Sequence, residues 1–308
     1  MQNKIITIVG GSGLVGRHLV KILAEAGYTI NILCRDTVAA SALKTAGNPG
    51  QIILQHVDIS DPASLIGKFA SSFAVINLVS TLVSRGKQSF NTLNVKGATA
   101  IAREAKAASA TRFIQMSALG VDRMSDVEYG KTKYEGEKAV REIFPNATIF
   151  RPSVVFGHGD GFFERFAKMS MLSPALPLIG GGNTLFQPVY VGDVVRAIHA
   201  ALENNTAQGQ MYALVGPEQL SFKQMLELMM STTHRKRCLI KIPFWKAKML
   251  GFLSELSPLS PAITRDQVRS LAHNNVRTDE KDGLAELGIA PTALMTMLPD
   301  ILKRYIAR

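Results

Sequence analysis

One stretch constrains this chain more than any other: Lys4 to Val20, KIITIVGGSGLVGRHLV. Ile5, Ile6, Ile8 and Val9 form a short β-branched run of buried-strand length. Gly10, Gly13 and Gly16 follow, and behind them Val15, Leu19, Ile22, Leu23 and Ala26 recur at helical spacing. Gly27 then stands where a helix often ends in positive φ. The spacing predicts strand, tight turn, helix. Backbone N–H groups in such a turn, together with the helix N-terminus, make a site for a pyrophosphate. The residues around that site are Gly10, Ser12, Gly13, Leu14, Val15 and Gly16. A side chain at Gly13 would hold the phosphates off, and one at Gly16 would push helix from strand. The pattern is G-x-x-G-x-x-G rather than G-x-G-x-x-G, and no G-K-[ST] follows, which argues against a nucleoside-triphosphatase loop. A turn kept for packing alone is the weaker reading.

Strand and helix patterns keep alternating. Strands are expected at 29–34, 52–56, 74–78, 112–116 and 147–151, and helices at 91–108 and 126–143. Asp61-Pro62 suits a helix start, with Asp as cap and Pro in the first turn. The expected architecture is a Rossmann-type α/β fold with a doubly wound parallel sheet, its ligands at the strands' C-terminal ends. Residues 1–152 would form the dinucleotide-binding domain, and 153–308 a smaller substrate-side lobe. Within that lobe about 189–216 would return to the main sheet, through a helix at 192–202 and a strand at 211–215. Gly and Pro crowd 174–188, which reads as loop and short helices. Arg35, at the end of the second strand, sits where a 2′-phosphate would lie and favours NADP(H), while Asp36 beside it keeps NAD(H) open. Asp58, just past the third strand, is placed to meet the adenine edge.

The formal net charge is +11, but the bases are mostly dispersed. The dense cluster is Arg235 to Arg237, with Lys241, Lys246 and Lys248 following. Aromatic residues are not interleaved with it, which argues against nucleic acid. No apolar run has the length of a membrane span, and the first strand begins near residue 4, so a cytoplasmic protein without a leader is expected. Cys34 and Cys238 lack C-x-x-C spacing, and His18, His158 and His234 are scattered, so neither a disulfide framework nor a metal site is expected.

Tyr129 and Lys133, in Y-G-K-T-K, project from one face of a predicted helix. Ser117 is delivered by the end of the preceding strand. Hydride transfer to a carbonyl makes an alkoxide that must be protonated. A tyrosine with a free pKa of about 10 needs a nearby ammonium to cycle at neutral pH. A serine hydroxyl can polarise the carbonyl. The roles would be Tyr129 as acid/base, Lys133 as pKa tuner and ribose ligand, and Ser117 as polariser, with Asn94 anchoring the Lys133 neighbourhood through a water. The bland alternative is a half-buried tyrosine and a solvated lysine.

VGGSGLVG, Y-x-x-x-K and RPSVVFG at 151–157 together resemble the short-chain dehydrogenase/reductase superfamily, extended or atypical branch. The whole chain resembles one subgroup, the NAD(P)-binding accessory subunit of respiratory complex I and its bacterial relatives. FPNATIFRPSVVFGHGDGFFERFAKM from Phe144, LFQPVYVGDVVRAI from Leu185 and LVGPEQLSF from Leu214 carry that likeness. It implies bound NADPH held by Gly10, Gly13, Gly16 and Arg35, with Val79, Ser80, Pro152 and Ser153 near the nicotinamide end. It also implies a carbonyl or quinone-type small molecule as substrate, and contact with a respiratory complex at the inner membrane. The complex I subunit uses its nucleotide structurally and often lacks the tyrosine–lysine pair, whereas this chain keeps Ser117, Tyr129 and Lys133. Three readings follow: an oxidoreductase in or near ubiquinone metabolism, a non-catalytic NADPH-holding accessory or assembly factor, and a sugar-nucleotide epimerase/dehydratase. Finally, Trp245, Met249, Phe252 and Leu256 form one apolar stripe flanked by lysines. Packing on the lobe's own core is the expectation for it, with anionic lipid as the alternative. The terminal helix at 293–306 carries the same pair of readings.

Overall fold

A computed structural model describes residues 4–256, 263–278 and 281–307. β1 (Ile5–Val9) runs through the glycine turn into α1 (Leu14–Glu25), and β2 (Thr29–Cys34), β3 (Ile52–His56) and β4 (Ser72–Asn77) follow. A π-helical turn at Asn91–Gly97 opens α2 (Ala98–Ala107). Next come β5 (Arg112–Met116), α3 (Glu128–Ile143), β6 (Thr148–Pro152), β7 (Val155–Phe156), α4 (Phe163–Leu172) and β8 (Ala175–Ile179). The chain continues through β9 (Leu185–Phe186), β10 (Val189–Tyr190), α5 (Val191–Glu203), β11 (Met211–Leu214), β12 (Leu220–Ser221) and α6 (Phe222–Thr232). It ends with β13 (Cys238–Ile242), α7 (Phe244–Glu255), α8 (Arg265–Ser270), α9 (Gly283–Glu286) and α10 (Leu294–Leu302).

The main sheet is parallel, in the order β11-β6-β5-β4-β1-β2-β3. The order reverses between β1 and β4, the crevice where this architecture binds ligands. Helices cover both faces, which is why the strands read as nearly continuous apolar runs. On one face Leu19 and Leu23 of α1 and Val194 and Ile198 of α5 pack with Ile6, Ile8, Ile30 and Ile32. On the other, Ile101 and Ala105 of α2 and Val140 of α3 pack with Val9, Leu33, Val75 and Phe113.

The smaller lobe departs from expectation in two places. The 174–188 segment is not simply loop: β8 pairs in parallel with β13, and Leu176 and Leu178 point into the core. Pro177 reads as a strand breaker, but a two-stranded ribbon tolerates proline as an edge does. The apolar stripe of α7 does not pack on the lobe. Trp245, Met249, Phe252 and Leu256 are 64%, 54%, 46% and 67% exposed, while Ala247 and Gly251 turn inward. Stripe spacing picks out the largest apolar residues, but here the packed face is chosen by the smallest. A Cβ on Gly251 would lie 2.9 Å from the Arg265 backbone nitrogen, so α7 meets the start of α8 backbone to backbone. The terminal helix behaves conventionally, burying Leu294, Leu298, Ile301 and Leu302 against α4 and α6. Among the described residues no helix is long and apolar enough to cross a membrane.

Candidate active site

The glycine turn has the shape a diphosphate requires. Gly10 sits at φ +83° and donates its N–H to the Leu33 carbonyl at 3.0 Å, closing the turn against β2. Gly13 caps α1 without any side-chain hydrogen bond, and no acid occupies the first turn. A Cβ at Gly13 would touch only the Gly10 carbonyl oxygen at 3.5 Å, so the approach from outside is open. A Cβ at Gly16 would lie 2.4 Å from the Gly11 carbonyl oxygen, so helix and strand could not meet. Ser12 and Gly13 are exposed, and Leu14 and Val15 half-buried. This cradle, with its bare helix N-terminus, fits a dinucleotide. Arg35 is exposed at the end of β2. Asp36 turns its carboxylate into its own turn, accepting from the Ala39 N–H at 2.8 Å. Asp58 accepts from the Ser60 N–H and hydroxyl at 2.9 and 2.8 Å. The backbone bond, the hydroxyl and nearby Arg35 together hold its carboxyl below the usual range, against a smaller opposing effect of burial.

Across the crevice Lys133 is buried, and its Nζ donates to the carbonyls of Val79 and Met116, each at 3.2 Å. Burial brings its pKa down to about 8, with Glu137 one turn along α3 opposing the shift. Half-buried Tyr129 has its hydroxyl 3.5 Å from Ser80 Oγ and its ring edge-on to Phe90. Burial pushes that hydroxyl's pKa up, and the Ser80 contact partly offsets the rise. Ser117 follows β5, its backbone N–H bonded to the Phe150 carbonyl. Its Oγ is buried with no hydrogen-bond partner among the described residues. Asn94 reaches α3 at Thr132, the residue before Lys133: its Nδ2 donates to Thr132 Oγ1 at 3.1 Å, and its buried Oδ1 has no partner among the described residues. Val79 donates its N–H to Asn77 Oδ1. Pro152 ends β6, and the Ser153 hydroxyl donates to the Asn275 side-chain oxygen at 2.6 Å.

A cavity of about 410 Å³ opens beside Tyr129 and the two residues after Ser117, Ala118 and Leu119. Phe162, Phe166, Phe186 and Phe222 form much of its wall, and among the described residues the charged ones on it are Arg165 and Asp266. No group of His, Cys, Asp or Glu suited to a metal occurs among the described residues.

Residues 6–214 match the NAD dependent epimerase/dehydratase family. The chain belongs to that family. It is an extended short-chain dehydrogenase/reductase by fold and an NAD(P)-binding protein by family. It is 33% identical to the NADH dehydrogenase [ubiquinone] 1 alpha subcomplex subunit 9, mitochondrial, of Rattus norvegicus, over 98% of this chain and 80% of that one. It is 31% identical to the ceramide reductase of Caulobacter vibrioides over 57% of this chain and 54% of that one. Its fold matches DesIV, a dTDP-glucose 4,6-dehydratase from Streptomyces venezuelae with NAD and TYD bound, at a TM-score of 0.76 and 18% identity, covering 98% and 96% of the two chains.

Three supports of the candidate site carry no local motif. Arg151 on β6 forms a buried bidentate pair with Glu137 of α3 at 2.9 and 2.7 Å and reaches Asp122 at 2.7 Å. Gly136 lets α3 press onto the π-helical turn, since a Cβ there would stand 2.0 Å from the Asn94 carbonyl oxygen. Asp266 of α8 accepts from the backbone N–H groups of Glu128 and Tyr129 at 2.8 and 3.0 Å, capping the helix that carries the tyrosine. Val127 stands at the N-cap position with no side-chain oxygen, so the cap on α3 comes from elsewhere in the chain.

Proposed function

We propose that this chain is an NADP(H)-dependent oxidoreductase acting on a lipophilic carbonyl, of which a quinone-type ring is one form. The carrying observation is Tyr129 on the wall of an aromatic-lined cavity, one turn of α3 before the desolvated Lys133. Gly10, Gly13, Gly16 and the start of α1 would hold the diphosphate, and exposed Arg35 the 2′-phosphate, since the Asp36 carboxylate is spent on Ala39. When bound, the nicotinamide supplies a hydride to the carbonyl carbon. Ser117 Oγ, with no protein partner among the described residues, donates to the carbonyl oxygen and polarises it. Tyr129 gives its proton to that oxygen as charge develops there. Lys133 spends two of its three donors on Val79 and Met116 and keeps one for the ribose and the phenolate's field. The cavity supports a lipophilic substrate over a sugar nucleotide, whose diphosphate would meet one cationic side chain, Arg165, among the described residues of the wall. The name of the ceramide reductase relative supports the same class.

The name of the rat relative favours a second reading, NADPH held without turnover as part of a respiratory assembly. Under either reading the protein works at the periphery of an inner membrane, and under the second it also contacts a respiratory complex. Single-turnover NADPH oxidation with decylubiquinone, menadione and a 4-keto sugar nucleotide, UDP-4-keto-6-deoxyglucose, separates them. Oxidation by a lipophilic quinone, lost about 10²- to 10⁴-fold in Tyr129→Phe, is expected for the enzyme. An undiminished rate in that variant removes Tyr129 from the mechanism. Tightly retained NADPH that none of the three oxidises selects the second reading.

A further inference from the structure

The exposed face of α7 has an unusual composition for a surface helix. Trp245, Met249, Leu250, Phe252, Leu253 and Leu256 are each between 46% and 67% exposed. At helical spacing Trp245, Met249, Phe252 and Leu256 line up along the middle of that face, with Lys246 and Lys248 exposed on opposite flanks. The one acid of the helix, Glu255, is taken up by Arg265, which bonds it through both its backbone N–H and its Nε at 2.7 and 2.8 Å. Lys236 and Lys241 add exposed positive charge just before the helix. Large apolar side chains are outside and the small ones, Ala247 and Gly251, are inside.

We infer that this face docks on an anionic lipid surface, with α7 lying flat in the headgroup layer. It deepens the peripheral location proposed above by naming the surface, and it holds whether or not Tyr129 turns over. An apolar centre with lysine flanks is the composition that partitions into an interface, the apolar residues entering the acyl boundary and the ammonium groups meeting lipid phosphates. At twelve residues the helix lies on the membrane and does not cross it. A second copy of this chain is a poor occupant: both faces would bring lysine flanks, and two bodies of formal charge +11 would meet like against like. Behind the face, Ala247 packs with Ile179 and Val268, next to Ile263 and Leu271. Ile179, Ile263 and Leu271 also line the cavity beside Tyr129, so the docked helix backs the wall of that cavity. A lipid-dissolved substrate would then travel only the thickness of this wall's rim.

Trp245 is the chain's single tryptophan, so its emission reports this helix alone. The full-length protein is mixed with vesicles of phosphatidylcholine, or of phosphatidylcholine with phosphatidylglycerol, some with chains brominated near the headgroup. On anionic vesicles a blue shift, quenching by the brominated lipid and weakening with salt are expected. The Lys246→Gln/Lys248→Gln double variant should bind anionic vesicles about thirtyfold more weakly, with NADPH affinity unchanged. Met249→Ser/Leu253→Ser should lose the quenching and keep the wild-type circular dichroism. The inference is overturned if Trp245 neither shifts nor is quenched on anionic vesicles. It is also overturned if, without lipid, the emission shifts as protein concentration rises, which means a second copy covers the face. Emission of a buried indole at every dilution overturns it too, because the chain would be covering its own helix. Any of these results with quinone-driven NADPH oxidation intact leaves the catalytic reading standing.

Discussion

Lys133 pays for its position in stability. Burial takes its pKa from 10.5 to about 8, so the folded chain releases this proton before the unfolded chain does. Between those two values the unfolded state holds more protons, and stability therefore rises with pH across that window. At neutral pH the lowered pKa corresponds to about 3 kcal/mol of penalty. Lys133→Met should accordingly raise the melting temperature at pH 7, lose that advantage as pH approaches 10, and abolish turnover. A melting temperature that falls instead would show that the bonds to the Val79 and Met116 carbonyls outweigh the burial. The carbonyl-reducing rate should be level below about pH 8 and drop above it, as the lysine loses the charge that steadies the phenolate. Under the proposed NADPH binding, Arg35→Ser would remove a charge-assisted contact to the 2′-phosphate and should weaken NADPH binding about ten- to a hundredfold with little change for NADH, measured by fluorescence titration. Equal effects on both nucleotides would detach Arg35 from the 2′-phosphate.

Helix α3 delivers both Tyr129 and Lys133, and three contacts aim it. Glu137→Ala would leave the Arg151 guanidinium buried with Asp122 alone, and should destabilise the fold by about 3 kcal/mol in chemical denaturation. Asp266→Ala removes the cap on Glu128 and Tyr129 and should cost about 1 kcal/mol. A Glu137→Ala variant as stable as wild type would show that Arg151 finds water or another acid. The contrast explains what could be read in advance. The glycine turn, the strand–helix alternation and the Tyr129–Lys133 spacing are local patterns, set by 3.6-residue periodicity and by backbone shape. Asp266 lies 138 residues from the helix it caps, and nothing in a sequence window marks it as a cap. The α7 stripe misled because periodicity shows which residues share a face, not which face is turned inward. The Gly- and Pro-rich 174–188 segment misled because the two-stranded ribbon that Pro177 joins forms only when β13, some sixty residues on, comes back to it.

Late segments of the chain complete early ones throughout the molecule. β11 adds to the main sheet beside β6, and the Ala213 N–H in it donates to the Lys281 carbonyl at 3.1 Å. Buried Asp193 of α5 accepts from the backbone and hydroxyl of Thr292 at 2.6 and 2.8 Å. Glu164 of α4 meets Arg304 and Tyr305 near the end of the chain. With β11 paired to β6 and α5 tied to Thr292, the two parts of the chain should unfold in one step, and a ligand held by the glycine turn should stabilise the outer lobe as much as the sheet. NADPH at about a hundred times its dissociation constant adds about 2.7 kcal/mol to whatever unfolds with its site. Trp245 reports the outer lobe and far-ultraviolet circular dichroism reports the whole chain, so urea unfolding followed by both, with and without NADPH, measures the coupling. Coincident transitions, displaced together by the nucleotide, are expected. A Trp245 transition that stays fixed while the dichroism moves would mean that the lobe carrying α7 unfolds independently of the nucleotide site, and that its ties through Asp193 and Lys281 are too weak to transmit binding.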